Sequence, residues 1–285
     1  MTADPDPSNG VASIAGTAPR SGTMPSIGIG TYDVEPAVCT TAVTTALECG
    51  YRHVDTAEMY DTERAVGRAI ERSSVDRSDV FVATKIHSRN LAYDDVIEHS
   101  RGCADRLGVD AIDLLYVHWP IRTYDPEETL AAFDELYDRG EIRHVGLSNF
   151  TPSLLAAAID TLDAPLVAHQ VECHSLCQQE ELRRMAREDD HHLVAYSPLA
   201  KGRVTEVPEL LEIAEAFDAT PAQVALAWLR EKDAVPIPKS TTPAHIRENV
   251  AAVELELDAE AIERIDGIDR TERVVDFQSA PWNNE

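Results

Sequence analysis

Four polar residues stand at, or just beyond, the ends of short apolar runs in the first half of the chain: Asp55, Tyr60, Lys85 and His118. A short apolar run that ends in one ionisable side chain is typical of a buried parallel strand with a reactive group at its carboxyl end. Parallel strands of one sheet bring those ends to the same edge. We therefore expect the four side chains to converge at one site, as they would in an enzyme.

Held together, these residue types could protonate an oxygen atom while negative charge builds on it. An ordinary tyrosine has a pKa of about 10, so we expect the Lys85 ammonium to lower the pKa of Tyr60 and Asp55 to keep Lys85 charged. A neutral His118 could donate a hydrogen bond to a carbonyl oxygen and orient it. Because no separate nucleophile is apparent, reduction of a carbonyl by an external hydride fits better than hydrolysis.

Strands and helices alternate along the chain, which is the pattern of a βα-repeat protein. Strand-like runs begin near Met24, Tyr51, Val80, Ile112, Ile142, Leu166, His192 and Ala234. Helix-like stretches cover Ala42 to Glu48, Thr62 to Glu71, Ala92 to Leu107, Pro126 to Tyr137, Pro152 to Leu162, Gln179 to Arg187, Pro208 to Phe217 and Ala222 to Lys232.

Two α/β architectures could carry this alternation, an open doubly wound sheet and a closed (β/α)₈ TIM barrel. The open dinucleotide fold needs a glycine-rich turn, and Gly28-Ile29-Gly30 lacks both the third glycine and an immediate helix. A length of 285 residues is near the usual barrel size. We therefore predict a single barrel domain over residues 23–285, preceded by a flexible lead-in and short hairpin over residues 1–22.

The composition is strongly acidic, with 51 Asp and Glu residues against 25 Lys and Arg residues and a net charge of −26. The acidic residues are spread along the chain, which predicts a solvating surface of the halophilic type that repels nucleic acid and anionic membranes. The five cysteines show no disulfide-framework spacing. The sequence shows neither a signal peptide nor a membrane-spanning run, so we expect a cytoplasmic protein.

Three segments that carry the four polar residues resemble the aldo-keto reductase family. They are His53-Val54-Asp55-Thr56-Ala57-Glu58-Met59-Tyr60, Ala83-Thr84-Lys85 and Val117-His118-Trp119-Pro120, and the four residues follow one another at steps of 5, 25 and 33 positions. The resemblance extends from about Met24 to Trp282. It implies that Tyr60 is the general acid, that Lys85 and Asp55 tune it, and that His118 orients the carbonyl. Members of the family are often monomers, which we expect here too.

The same resemblance implies a nicotinamide cofactor. Gly146-Leu147-Ser148-Asn149-Phe150 and Gln170 would hold its carboxamide, while the Tyr196 ring would stack on the nicotinamide face. The cofactor contacts implied by the resemblance are Gly30, Thr31, Asp55, Ser148, Asn149, Gln170, Tyr196, Ser197, Leu199, Lys239, Ser240, His245, Glu248 and Asn249.

The adenosine end of this implied site departs from the family pattern at one position. Lys239 and Ser240 match residues that grip the 2′-phosphate, but the arginine expected five residues after the serine is His245. Arg247 lies two residues later and would point elsewhere on a helix. We predict NADP as the cofactor because Lys239 and Ser240 are intact, with use of NAD also possible.

The resemblance also implies a substrate pocket lined by Tyr32, Tyr60, His118 and Trp119, with the Ala280-Pro281-Trp282 tail closing over it. Such an aromatic pocket suits a small aldehyde or ketone, or a sugar carbonyl.

Two other functions compete with reduction. One is a catalytically weak regulatory subunit of the same fold that binds the cofactor, and the other is a metal-dependent barrel hydrolase using His118, His169 and His174. The spacing of His169, Cys173, His174 and Cys177 matches no common zinc site, so no metal is expected.

Overall fold

The computed structural model describes residues 24–284, so the lead-in and hairpin predicted for residues 1–22 lie outside the described part. The described residues contain one eight-stranded sheet in which every strand pairs in parallel with the next along the chain. The strands are β1 (Ile29–Gly30), β2 (His53–Asp55), β3 (Phe81–Ile86), β4 (Leu114–Val117), β5 (Val145–Ser148), β6 (Leu166–Glu172), β7 (His192–Tyr196) and β8 (Ala234–Pro236).

The sheet closes on itself, because β1 also bonds to the chain at the end of β8. The backbone N–H groups of Gly28 and Gly30 donate to the carbonyl oxygens of Pro236 and Pro238, at 3.0 and 3.1 Å. Gly30 also forms an isolated parallel bridge with Lys239. A Cβ atom on Gly30 would lie 2.9 Å from the Ile237 carbonyl oxygen, so this seam requires glycine. The predicted (β/α)₈ barrel is confirmed.

Helices surround the barrel, and many of them begin with a proline that is suited to the first helical turn. The α-helices within residues 24–284 are α1 (Pro36–Glu48), α2 (Glu63–Arg72), α3 (Tyr93–Leu107), α4 (Pro126–Asp138), α5 (Pro152–Thr161), α6 (Glu180–Glu188), α7 (Pro208–Ala216), α8 (Pro221–Glu231), α9 (Pro243–Ala251) and α10 (Ala259–Asp266). The sequence pattern gave no bounds for α9 or α10, although Arg247, which lies in α9, was expected on a helix. The predicted first helix began six residues late, because Pro36 was not taken as its start signal.

Four strands begin two or more residues later than the apolar pattern predicted. β1, β2, β4 and β5 start at Ile29, His53, Leu114 and Val145, whereas the pattern placed them from Met24, Tyr51, Ile112 and Ile142. The early residues are buried like strand residues, and Ile112 pairs with Ile142 in an isolated parallel bridge. The predicted strands therefore start too early, because they include buried residues that lie outside the regular ladder.

The apolar core has two parts that explain why the strands are hydrophobic on both faces. A small cluster fills the barrel and includes Leu114, Tyr116 and Val194, while a larger one lies between strands and helices. All five cysteines lie in the described part and are free thiols. No helix within residues 24–284 is long and apolar enough to cross a membrane.

Candidate active site

A buried ion pair lies at the carboxyl ends of β2 and β3. Lys85 Nζ is 2.5 Å from Asp55 Oδ1 and also donates to the Thr56 carbonyl oxygen at 2.8 Å. Gln170 Nε2 donates to the other Asp55 oxygen at 2.7 Å. Burial raises the pKa of Asp55 and lowers that of Lys85, while the charge of each partner opposes the shift of the other.

Tyr60 follows β2 in a short 3₁₀ turn over Glu58–Tyr60. Its hydroxyl oxygen is 3.4 Å from His118 Nε2, and Lys85 Nζ is 5.2 Å from the centre of its ring. The four residues with which the sequence analysis began therefore converge at one edge of the barrel.

The pKa of Tyr60 corrects one expectation. Burial raises this pKa well above its ordinary value, and the Asp55 carboxylate raises it further. The predicted lowering is wrong as a net effect, because burial and the Asp55 carboxylate outweigh the attraction of the Lys85 ammonium for the phenolate. Tyr60 therefore stays protonated at neutral pH, which is the form that a proton donor needs.

His118 ends the run that forms β4, and its side chain is buried. Burial lowers its pKa well below the ordinary value, and the neighbouring Lys85 charge lowers it further. The imidazole is therefore neutral, as the sequence analysis required. The Asn149 amide donates to the His118 carbonyl oxygen at 2.9 Å and so ties β5 to the end of β4.

A polar network links the predicted carboxamide-binding residues across β5, β6 and β7. Tyr196 donates its hydroxyl to Asn149 Oδ1 at 2.9 Å, and the Asn149 amide donates to Ser148 Oγ at 3.0 Å. Ser148 donates in turn to the Gln170 carbonyl oxygen at 3.0 Å. Since Gln170 also bonds Asp55, the network is continuous with the buried ion pair.

Gly30 and Thr31 support the ion pair through backbone contacts. The Thr31 backbone N–H and hydroxyl both donate to the Asp55 carbonyl oxygen, at 3.1 and 3.0 Å. Gly30 pairs with Asp55 in the β1–β2 ladder.

The residues predicted for the adenosine end lie apart from the four-residue cluster, along the barrel seam and α9. Lys239 and His245 are exposed, whereas Ser240 and Asn249 are buried. Glu248 accepts the Thr220 hydroxyl at 2.7 Å, so this carboxylate is held by the start of α8. Ser197 and Leu199 are half-buried after β7, and Ser197 has a left-handed backbone with φ of 48°.

These groups fit a nicotinamide cofactor by the chemistry of their donor set. Asn149 and Gln170 offer amides suited to a carboxamide, and half-buried Tyr196 offers an aromatic ring. At the other end, Lys239 is exposed just before α9, whose N-cap Thr242 makes no side-chain bond to the first turn within residues 24–284. Unsatisfied N–H groups at a helix start and a nearby ammonium suit a phosphate.

Aromatic side chains pack over the four-residue cluster, where the sequence analysis expected a substrate pocket. Tyr32 meets the Tyr60 ring edge-on with ring centres 5.2 Å apart, and Trp119 stacks beside His118 at 6.5 Å. Phe277 and Trp282 lie 4.8 and 5.7 Å from Trp119, between ring centres. The carboxyl-terminal tail therefore lies over the barrel mouth, as predicted.

Two buried or half-buried carboxylates near the site were missed by the sequence analysis. Glu172 ends β6 with its side chain fully buried, and Glu58 precedes Tyr60 in the same 3₁₀ turn. Glu172 ends an apolar run, so the rule that identified Asp55 and Lys85 could have found it. Glu58 lies inside the recognised motif, but its partners come from distant parts of the sequence.

The three histidines of the proposed hydrolase do not form a common site. His174 bonds Glu172 at 3.0 Å, while His169 packs edge-on against the rings of Phe150 and His191. Among residues 24–284, no group of three or more His, Cys, Asp or Glu side chains is arranged to hold a metal ion.

Comparison with known proteins is consistent with this geometry. The sequence model of the Aldo/keto reductase family matches residues 22–270. An aldo-keto reductase of Mycobacterium avium (strain 104) is 36% identical over 253 residues, which cover 88% of each chain. A methylglyoxal reductase of Escherichia coli O157:H7 is 36% identical over 255 residues, covering 88% of this chain and 96% of that protein.

A solved structure, the aldose reductase of Schistosoma japonicum, superposes with a TM-score of 0.88 at 27% identity. The match covers 92% of this chain and 94% of that one.

Proposed function

The chain belongs to the Aldo/keto reductase family and is an oxidoreductase, and from this premise we propose that it reduces small aldehydes and ketones with NADPH. The observation that carries the proposal is the convergence of Asp55, Tyr60, Lys85 and neutral His118 beneath an aromatic mouth. We also propose that the protein acts in the cytoplasm, whose reducing conditions are compatible with its free cysteines.

The chain's own residues would orient the carbonyl and supply its proton. His118, held neutral by burial, donates a hydrogen bond from Nε2 to the carbonyl oxygen and orients it beside the Tyr60 hydroxyl 3.4 Å away. The cofactor, when bound, supplies a hydride for the carbonyl carbon. Tyr60 then donates its proton to the oxygen, and the Lys85 ammonium stabilises the phenolate that remains.

We propose NADP over NAD because an exposed ammonium and a helix start lie together at the adenosine end. Lys239 immediately precedes Ser240 and lies four residues before α9, whereas the nearest other lysine in the sequence, Lys232, is paired with Asp266. His245 occupies the place where the family has an arginine, which leaves the 2′-phosphate with one fewer permanent charge. NAD is therefore expected to be a usable but poorer cofactor.

The substrate is expected to be a small organic carbonyl compound, because aromatic rings surround one polar end of the pocket. The E. coli O157:H7 relative is named for reduction of methylglyoxal, which places a dicarbonyl compound in the first test panel.

The decisive test replaces Tyr60 by phenylalanine, which keeps the ring and removes the proton donor. We expect Tyr60→Phe to lose turnover by at least about 100-fold, the scale of general-acid catalysis, with unchanged NADPH binding. Loss of NADPH absorbance with an aldehyde panel at high salt measures turnover, and quenching of protein fluorescence measures binding. Tyr137→Phe, the same change on α4, is the matched control.

Two outcomes would contradict the proposal. An active Tyr60→Phe protein would remove Tyr60 from the chemistry. A wild-type protein that binds NADPH tightly but consumes it with no aldehyde or ketone would favour the regulatory-subunit alternative.

A further inference from the structure

The side chain of Glu172 is fully buried at the carboxyl end of β6, but its partners belong largely to the other end of the chain. Its Oε1 atom accepts the backbone N–H of Val274 at 2.6 Å, and Oε2 accepts that of Val275 at 3.0 Å. His174 Nε2 lies 3.0 Å from Oε1. Because the Leu176 backbone N–H donates to His174 Nδ1, the proton of a neutral His174 is on Nε2 and points to Glu172.

All three neighbours of this carboxylate are therefore donors, and two of them are backbone groups of the tail. A buried carboxylate without donors is costly. If the tail moved away from β6, the Glu172 charge would lose two of its three hydrogen bonds. Glu172 thus favours the docked position of the tail more strongly than an apolar residue could.

Neighbouring contacts extend this attachment on both sides. The Glu272 backbone N–H donates to the Leu176 carbonyl oxygen, and Lys201 Nζ donates to the Val274 carbonyl oxygen, both at 2.8 Å. Residues 272–275 therefore lie between the loop after β6 and the loop after β7. Because Lys201 is exposed, its bond is expected to be weaker than the buried ones to Glu172.

The docked segment leads directly to the aromatic mouth of the site. Asp276 accepts the indole N–H of Trp282 at 3.0 Å, and the Arg273 guanidinium lies 3.9 Å from the centre of a Trp282 ring. Trp282 and Phe277 in turn pack against Trp119, beside His118. Displacement of Val274 and Val275 would therefore displace the rings that cover the substrate pocket.

We propose that Glu172 is a positioning residue that seats the tail through Val274 and Val275 and thereby sets the affinity for the carbonyl substrate. The role in substrate affinity rests on the proposed function, whereas the seating of the tail does not. Glu172 touches neither the phenol nor the ion pair through any hydrogen bond described for it, so its loss should leave the chemical step largely intact.

Glu172→Gln is the sharpest variant because it keeps the shape of the side chain. An amide oxygen in the Oε1 position still accepts from Val274 and His174, but the amide NH₂ then faces the Val275 N–H. Two donors face each other, so the tail should separate from β6 more often. Glu181→Gln, the same change on the exposed surface of α6, is the matched control.

The first readout is trypsin cleavage after Arg273, followed by mass spectrometry, and it requires no enzymatic activity. We expect Glu172→Gln to raise the initial cleavage rate about tenfold, because cleavage follows the population of the open tail when the tail moves rapidly. Glu181→Gln should be cleaved at the wild-type rate. Thermal unfolding and circular dichroism would verify that both variants keep the barrel.

The second readout separates binding from chemistry. With benzaldehyde and NADPH, Glu172→Gln should raise KM about tenfold and change kcat less than about twofold, with an unchanged Kd for NADPH. An equal fall in kcat and kcat/KM would overturn the assignment to substrate affinity. Wild-type cleavage of Glu172→Gln would overturn the seating of the tail.

A variant on the tail side tests the contact without touching the barrel. Val275→Pro removes the N–H that faces Glu172 and should by itself raise the cleavage rate. Because the two donors can no longer oppose each other, adding Glu172→Gln to Val275→Pro should raise cleavage further by less than about twofold. If the cleavage rate of the double variant rose by the product of the two single effects, the proposed contact would be overturned. If no carbonyl compound is reduced, only the proposed function fails, and both cleavage tests keep their meaning.

Discussion

Asp55 and Lys85 carry opposite charges in a part of the barrel where both side chains are almost fully buried. Each charge is also hydrogen-bonded outside the pair, Asp55 by Gln170 and Lys85 by the Thr56 carbonyl oxygen. Burial and the Asp55 charge raise the pKa of Tyr60, so the pair does not make the phenol more acidic overall. Under the proposed mechanism, the phenol keeps its proton until negative charge develops on the carbonyl oxygen.

Replacing one member of this pair is expected to destabilise the fold more than replacing both. Lys85→Met should lower the free energy of unfolding by about 3–5 kcal/mol, because it leaves a buried carboxylate without its cation. Burial raises the Asp55 pKa above its unfolded value, so this loss should shrink as the pH falls through the folded-state pKa. Urea unfolding at fixed salt and several pH values measures both effects.

The double variant Asp55→Asn/Lys85→Met is the control for that experiment. It removes both charges and should recover most of the stability lost in Lys85→Met. Equal stabilities for the single and double variants would show that the pair is not electrostatically coupled.

The cofactor preference is expected to depend on two exposed residues with opposite effects. Lys239→Ala should weaken NADPH binding about 10-fold or more and NADH binding less than about twofold, because only NADPH carries the additional phosphate. His245→Arg should strengthen NADPH binding and leave NADH nearly unchanged. Fluorescence titration with both cofactors measures the two ratios, and equal losses for both in Lys239→Ala would refute a phosphate contact.

At the scale of elements, the strand ends at the site were predictable from the sequence, whereas the strand starts were predicted exactly only for β6, β7 and β8. Asp55, Lys85 and His118 mark strand ends because a buried run must stop where a charged or polar side chain reaches the barrel mouth. The starts of β4 and β5 are hard to locate in the sequence, since Ile112 and Ile142 are buried like strand residues but lie outside the regular ladder. Glu172 was missed as a functional residue because its role depends on the tail, about a hundred positions further along the chain.

The 3₁₀ turn that carries Tyr60 is held in place by Glu58. The Glu58 carboxylate accepts the His87 backbone N–H at 2.9 Å, the Asn90 amide at 3.1 Å and a bond from His99 of α3. These bonds lower the Glu58 pKa although burial opposes them. The loop after β3 and the helix α3 thus fix the turn from outside the reacting cluster.

Removal of this support is expected to slow catalysis without weakening the cofactor. Glu58→Ala should lower kcat about tenfold, because the Tyr60 hydroxyl would no longer be held near His118. Steady-state kinetics with NADPH and fluorescence binding would separate the two effects. Met59→Ala, an exposed change on the same turn, should keep kcat within about twofold. Similar losses in both variants would indicate general damage to the turn.

At the scale of the whole molecule, a net charge of −26 on 285 residues is the dominant electrostatic feature. Many arginines lie in surface pairs, such as Arg101 with Glu141 and Arg270 with Glu209. Isolated surface pairs contribute little stability. The 51 Asp and Glu residues also outnumber the 25 Lys and Arg residues, so many carboxylates have no cation to pair with. The folded chain therefore concentrates negative charge that the unfolded chain can spread out.

The protein is expected to become more stable as salt is added. Raising KCl from about 0.1 M to about 1 M shortens the Debye length from about 10 Å to about 3 Å and screens the repulsion. We expect Tm to rise by several degrees over this range at neutral pH, as measured by differential scanning calorimetry. Sucrose at matched osmolality separates screening from exclusion effects, and a Tm that falls with KCl would contradict the prediction.

The scarcity of lysine has a practical consequence for anyone who attaches this protein to a dye or a resin. Only four side-chain amines exist, and Lys85 is sealed in the barrel while Lys232 is partly covered and paired with Asp266. Among the side-chain amines, acylating reagents should therefore react chiefly with Lys201, beside the docked tail, and with Lys239, at the barrel seam. Coupling through these amines would place the attachment beside the tail and at the proposed cofactor site, so a tether placed elsewhere, through carboxyl groups for example, would be the gentler choice.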